Sequence, residues 1–270
     1  MRPSQAIQGV VVVAALGVVA VVQPLRPFLA LGLVVLYVRS GPRSERSPAL
    51  GASLPVAAIL AWGAIAQPEA AAAAAQCTDV FAPPAVWRFL EAIVGVAMLG
   101  LLIVERRADL AELGVRIGSP RVAVAGVVLA VVGVPVALTA ATWLGGAALG
   151  GSFFGAYQLD LSQPAALVPA LLFAVSNAFA EEVAYRGALM RWLSPGIGIV
   201  GANLGQAVVF GLAHTGADFV GSVLPTATAM ILAGFIAGAI ARRSGSLAFV
   251  IAVHAAADIP IYYFWACRLA

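Results

Sequence analysis

Apolar residues along this chain fall in long unbroken blocks, not in an alternating pattern. Nine such segments can be traced, roughly Ala6–Val22, Phe28–Val38, Ala49–Ala66, Val86–Val104, Val122–Leu149, Ala165–Arg186, Ile197–His214, Ser222–Ala241 and Leu247–Ala266. A spanning helix needs about 20 apolar residues, a length most of these segments approach. Phe28–Val38 is short and must recruit Pro24–Pro27 or pack as a partial span. Strands of a membrane β-barrel alternate polar and apolar over about ten residues, so that class is excluded. The pattern predicts an all-α, polytopic transmembrane helix bundle with about nine transmembrane helices, because backbone in lipid must satisfy its own hydrogen bonds.

Composition agrees. Hydrophobic residues make up 62% of the chain and charged residues 10%, against roughly a quarter charged in soluble domains. The partner this implies is the lipid bilayer. A net charge of +3 offers no nucleic-acid footprint. The basic residues are all arginine, a bias of GC-rich coding that suggests a bacterial cytoplasmic membrane. Met1–Val22 lacks a small-residue cleavage site and reads as a retained first helix, not a signal peptide.

The loops alternate in charge. Arg39, Arg43 and Arg46 share one loop, and Arg106, Arg107, Arg116 and Arg121 another. Arg186 and Arg191 follow the sixth segment, and Arg242 and Arg243 the eighth. The loops Gln67–Ala85, Gly150–Pro164 and Thr215–Gly221 hold acidic residues and no arginine. The positive-inside rule then predicts N-terminus in, C-terminus out. Cys77 and Cys267 fall on the same extracytoplasmic side, where they either pair or stay free.

Glu105–Arg121 is the most polar stretch and reads as a short amphipathic cytoplasmic helix ending at Gly118. It divides the chain into an N-terminal helical membrane module (1–104), a linker (105–121) and a C-terminal core (122–270). The module holds little charge inside its apolar segments beyond Arg88 and Glu91, near one helix end.

The core holds the candidate chemistry. Ionisable groups at membrane depth cost a few kcal/mol each and mark functional sites. In Ala180-Glu-Glu-Val-Ala-Tyr-Arg-Gly187, positions four apart share a face, so Glu182 reaches Arg186. Glu181 lies about 100° round the helix, on a face with Asn177 and Tyr185. One glutamate can be structural while the other acts on a water; a packing network at a helix end is the plainer reading. Asn203, Gln206, Phe210 and His214 form one stripe, which must face protein or a water cavity. His254 and Asp258 at i, i+4 point the same way, either to orient an imidazole or as an interhelical clamp. Counted from a turn near Pro195, Glu181 and His214 lie about 21 and 28 Å deep, and His254, counted from Arg243, about 16 Å. The shallower His254 calls for tilt or an irregular helix.

Glu181-Glu182-x-x-x-Arg186, Phe210-x-x-x-His214 and His254-x-x-x-Asp258, in that order, resemble the CPBP family of intramembrane proteases, also called type II CAAX prenyl endopeptidases or the Abi family. The resemblance covers about Val122–Ala266. It implies peptide hydrolysis by an activated water in a membrane cavity. Glu181 would be the general base and His214 would help hold the water. His254 and Asp258 would sit at the oxyanion, and Glu182 and Arg186 would support them. Eukaryotic-type members carry Asn at the last position, where this chain has Asp258; an ionised Asp would repel an oxyanion, so it could be protonated, orient His254 or bind metal. Two histidines and three acids would admit zinc as cofactor, but without the His-x-x-x-His spacing of ordinary zinc proteases. The reading leans against a tightly bound metal. The substrate class implied is a membrane-presented peptide or protein, CAAX-like or of leader or bacteriocin type. Two other classes compete: a catalytically idle scaffold or immunity protein on the same fold, and a proton-coupled transporter. The latter would predict inverted repeats, and none is visible.

Overall fold

A computed structural model of the protein describes residues 3–42, 45–72, 77–81, 83–106, 109–116, 118–133, 164–215 and 223–267. The described residues are helical and contain no strand. The helices are α1 (Pro3–Val21), α2 (Arg26–Arg39), α3 (Pro48–Ala72), α4 (Pro83–Arg106), α5 (Pro120–Val128), α6 (Leu167–Glu182), α7 (Met190–Ala213), α8 (Val223–Ser244) and α9 (Ala248–Tyr262). Wider π-turns continue α5 over Leu129–Gly133, α6 over Val183–Leu189 and α9 over Tyr263–Cys267. The expected segment Val122–Leu149 lies outside the described residues beyond 133, as does most of the loop Gly150–Pro164.

Four helical stretches are long and apolar enough to cross a bilayer: Pro48–Ile65, Pro84–Arg106, Pro164–Ala213 and Val223–Ser244. The α1–α2 pair, bent by 110°, makes a fifth if taken as one broken span. These are the spans that length and composition alone mark among the described residues; the nine expected from apolar runs include Val122–Leu149, most of which lies outside those residues, and shorter or bent helices. Large apolar side chains such as Val10, Phe28, Leu31, Leu101, Val168 and Leu224 face outward, while Glu182, Arg186, Asn203, Gln206 and Asp258 are buried. Polar groups inside and apolar groups outside are the arrangement lipid demands. The protein is an integral membrane protein.

Each bend has a local cause. After α1 the chain turns at Gln23–Leu25, and Arg26 donates to the carbonyls of Val19 and Ala20 at 3.2 and 2.6 Å. The guanidinium thereby satisfies carbonyls that the end of α1 leaves open. In α7 the break falls at Pro195 and Gly198, the latter at φ 75°, ψ 158°. Residues 186 and 210 would stand about 36 Å apart in an unbroken helix, yet the Arg186 guanidinium lies 4.3 Å from the centre of the Phe210 ring. The chain therefore reverses at this break, and α6 and the remainder of α7 form a hairpin.

The amphipathic helix expected over Glu105–Arg121 does not form. α4 runs to Arg106, and residues 110–114 make a single turn instead. Asp109 accepts from the amide of Glu112 at 3.2 Å and from that of Ala111 at the turn's start. Gly114, at φ 76°, closes it, and Val115 N–H donates back to Leu110 O at 3.0 Å. Asp and a left-handed Gly so close together cap one turn and leave no room for a helix.

One apolar core joins both ends of the chain: Val12, Leu16, Leu54 and Val56 pack in the same cluster as Tyr185, Leu189, Val209 and Phe210. At one end of the bundle Cys77 and Cys267 are disulfide-bonded, with Cα atoms 5.2 Å apart, and the Tyr262 hydroxyl donates to Cys77 O at 3.0 Å. The bridge ties the end of α9 to the α3–α4 connection. A thiol-reactive maleimide applied to the unfolded, unreduced protein is expected to label neither cysteine, and both after reduction. Labelling without reduction would show that the bridge is not formed.

Candidate active site

Two helices meet around one carboxylate. Glu182 Oε1, on the last turn of α6, accepts from Arg186 Nη1 at 2.9 Å and faces His254 Nδ1 on α9 at 2.9 Å. Arg186 and Glu182 are 1% exposed, so neither charge could stand there without the other. The ring of His254 is thereby fixed, and its Nε2 sits 3.7 Å from Glu181 Oε2 and 3.6 Å from Asp258 Oδ2. Asp258 is held in turn by the Asn177 amide, which donates to Oδ2 at 2.9 Å. Glu181 Oε2 is buried and makes no hydrogen bond among the described residues. Both glutamates keep a buried Oε2 without a hydrogen bond among the described residues; they differ in that Glu182 is ion-paired through Oε1 to Arg186 and His254, whereas Glu181 Oε2 stands beside His254 Nε2.

Phe210 organises the rest. Arg186 lies over its ring at 4.3 Å, His214 stacks at 4.4 Å, Tyr185 meets it edge-on at 5.3 Å and His254 at 6.1 Å. An aromatic face attracts a guanidinium and packs against imidazoles without competing for their hydrogen bonds. His214 Nδ1 lies 2.7 Å from Phe210 O. Donation there puts the ring proton on Nδ1 and the lone pair on Nε2. The upper part of the same stripe is structural: Asn203 donates to Phe235 O at 3.0 Å and Gln206 to Gly234 O at 2.9 Å. These bonds hold α7 to α8.

The depth mismatch at His254 also has a structural answer. The α8–α9 turn does not stand level with the Pro195 turn. A Cβ on Gly187 would lie 3.2 Å from Leu113 O and 3.5 Å from Leu247 Cδ1, so the turn is recessed into the bundle to the level of Gly187. From there His254 is about 10 Å along α9 and Glu181 about 9 Å along α6. The recess is closed by the turn at 110–116: Leu247 N–H donates to Gly114 O at 2.9 Å and Arg116 Nε to Gly245 O at 2.7 Å.

All six residues singled out in the sequence, Glu181, Glu182, Arg186, His214, His254 and Asp258, therefore belong to one neighbourhood. Arg88 and Glu91 of α4 join them, Nη1 to Oε2 at 2.5 Å. The Arg88 charge falls within electrostatic reach of Glu181 and Asp258, and Arg26 within reach of Glu91. Their i, i+3 spacing was visible in the sequence; that α4 lies along α6 was not. Among the described residues no group of three His, Cys, Asp or Glu side chains is placed to hold a metal ion. Glu182 Oε1 is already engaged by Arg186 and His254, so the donor set does not fit zinc, and no step below uses one.

Residues 163–260 match the family model described as type II CAAX prenyl endopeptidase Rce1-like. This segment is Rce1-like. The match supports the CPBP membership that the three motifs imply, and it contains all six residues of the cluster. No curated protein and no solved structure matches the chain. The Rce1-like segment excludes Arg26, Arg88 and Glu91, which come from helices before it.

Removing one member of a buried ion pair costs about 3–5 kcal/mol. Arg186→Ala is expected to lower the thermal midpoint of the detergent-solubilised protein by several degrees, with Arg186→Lys restoring part of the loss. An unchanged midpoint in Arg186→Ala would show that the Glu182 network does not hold the helices together.

Proposed function

We infer that the protein is an intramembrane endopeptidase that cleaves a membrane-presented peptide by activated water. The observation that carries this reading is the open Oε2 of Glu181, 3.7 Å from His254 Nε2 and next to a glutamate whose charge is already spent. A carboxylate with an open oxygen among buried polar groups is what a general base requires.

In the proposed reaction a water lies between Glu181 and His214. Glu181 takes a proton as the water oxygen bonds to the scissile carbonyl carbon. The carbonyl oxygen becomes an oxyanion, which His254 stabilises by donation from Nε2. Collapse breaks the C–N bond, and Glu181 returns its proton to the leaving amine. Asp258, steadied by Asn177, orients His254 and favours its protonated form; this accommodates an Asp where an ionised group facing the oxyanion directly would oppose it. Glu182 and Arg186 hold the imidazole from its other side.

The match to the type II CAAX prenyl endopeptidase family supports a CAAX-like substrate. We propose a topology with nine crossings, N-terminus in and C-terminus out, in a bacterial cytoplasmic membrane. The position of Gln5 beside Gly196 at the arginine-bearing end and of Cys267 at the opposite, disulfide-bonded end supports an odd number of crossings. The arginine-poor loops on the disulfide side support the orientation.

The test is cleavage of prenyl- or acyl-anchored reporter peptides by purified protein in nanodiscs, followed by mass spectrometry. Wild type is expected to cut at a defined bond, with Glu181→Ala and His214→Ala slowed by about 10²–10⁴-fold while still folded. No cleavage by wild type, or undiminished cleavage by Glu181→Ala, would contradict the reading.

A further inference from the structure

The end of α9 is held from outside its own helix. Pro260 lies inside α9 and has no N–H to give to the carbonyl of Ala256. The chain then widens into the π-turn over Tyr263–Cys267, so the regular ladder of helical hydrogen bonds stops short of Cys267. Two links across the bundle take over: the Cys77–Cys267 bond and the Tyr262 hydroxyl, which donates to Cys77 O at 3.0 Å. Both end on the same residue of the α3–α4 connection, so one covalent bond decides whether either holds. Neither cysteine is fully buried, and residues 78–81 are exposed. A soluble thiol can therefore approach the bridge, and exposed disulfides are the labile ones.

The tie leads to the site. His254, Asp258 and Tyr262 stand at i, i+4 and i+8 on one face of α9. Asp258 Oδ2 sits 3.6 Å from His254 Nε2 and accepts from the Asn177 amide at 2.9 Å. Asp258 is one turn from the tyrosine tied to Cys77, and Pro260 lies between them. Fraying that starts at an opened bridge passes Pro260 and reaches the turn that carries Asp258. The rest of the bundle keeps its packing: Tyr262 meets the Phe173 ring of α6 at 5.6 Å, in an apolar cluster with Ala170, Ala174 and Ala266.

We propose that the Cys77–Cys267 bridge is a redox switch: a dithiol that opens it frees the last turns of α9, withdraws Asp258 from His254 and turns the peptidase off, and reoxidation restores it. A thiolate of the reductant attacks one sulfur and displaces the other; its second thiol then closes on the mixed disulfide and leaves as a cyclic disulfide. The protein takes up two electrons and two protons, and both cysteines become thiols. The loss of activity rests on the peptidase reading above; the release of α9 does not.

The test follows α9 and cleavage separately, on full-length wild type in nanodiscs with and without dithiothreitol, with maleimide labelling to confirm that both thiols are free. Hydrogen exchange read by mass spectrometry is expected to quicken by about tenfold over Asp258–Cys267 on reduction, with Leu167–Ala180 unchanged. Cleavage of a peptide that wild type cuts should slow by about 10–100-fold, and reoxidation should restore both. Cys267→Ser should match the reduced protein and ignore the reductant; reduction of folded wild type gives the same comparison without a variant. Exchange over α9 left as it was by reduction, or quickened equally in α6 and α9, would overturn the proposal, as would cleavage undiminished once the bridge is open. Faster exchange confined to the end of α9, with no cleavage by either form, would contradict the peptidase reading and leave the coupling of bridge to helix standing. Unchanged exchange with full cleavage in both forms would do the reverse.

Discussion

Everything at the centre of this molecule depends on one carboxylate oxygen. Glu182 Oε1 meets Arg186 from its own helix and His254 from α9 at the same distance, 2.9 Å. In a medium where an unpaired charge costs several kcal/mol, this three-way contact fixes side-chain positions more firmly than apolar packing could. It neutralises Glu182, aims His254 Nε2 at Glu181 and Asp258, and presses Arg186 onto Phe210. The two adjacent glutamates are thereby set apart: Glu182 is ion-paired to both cations through Oε1, and Glu181 has no such pair at hydrogen-bond distance.

The surrounding architecture serves that contact. The break at Pro195 and Gly198 folds α7 back on α6 so that Phe210 and His214 reach the glutamates. The recessed turn before α9 raises His254 to their level, and the turn at 110–116 closes the recess by hydrogen bonds to Leu247 and Gly245. At the far end the Cys77–Cys267 bridge anchors α9. The N-terminal helices enter the same design. α4 carries Arg88 and Glu91 to the neighbourhood of Glu181, and Arg26 both caps α1 and adds charge near Glu91.

The sequence made some of this legible and hid the rest. Helical class followed from unbroken apolar runs, and the Glu182–Arg186 pair from i, i+4 spacing. The six residues of the cluster stood out because so few ionisable groups occur in the apolar segments. Hydropathy could not show which runs are short or bent, so α1 and α2 read as separate segments without their 110° angle. The stretch after α4 was polar and periodic enough to suggest a helix, but Asp109 and Gly114 reduce it to one turn. The π-turn over Val183–Leu189 leaves no mark in residue type. Nor does sequence reveal the recess at Leu247, which is why His254 seemed too shallow. The two-cysteine bridge was one of two readings, since proximity over 190 residues is a property of the fold.

The division of labour between the two glutamates is most directly tested by comparing Glu181→Gln with Glu182→Gln, each assayed for thermal stability and for cleavage of a peptide that wild type cuts. Glu181→Gln should unfold at the wild-type temperature and have no cleavage. Glu182→Gln should unfold several degrees lower, because Arg186 loses its counter-charge. Glu181→Gln retaining cleavage, or Glu182→Gln matching wild type in stability, would contradict the assignment of a structural role to one glutamate and a chemical role to the other.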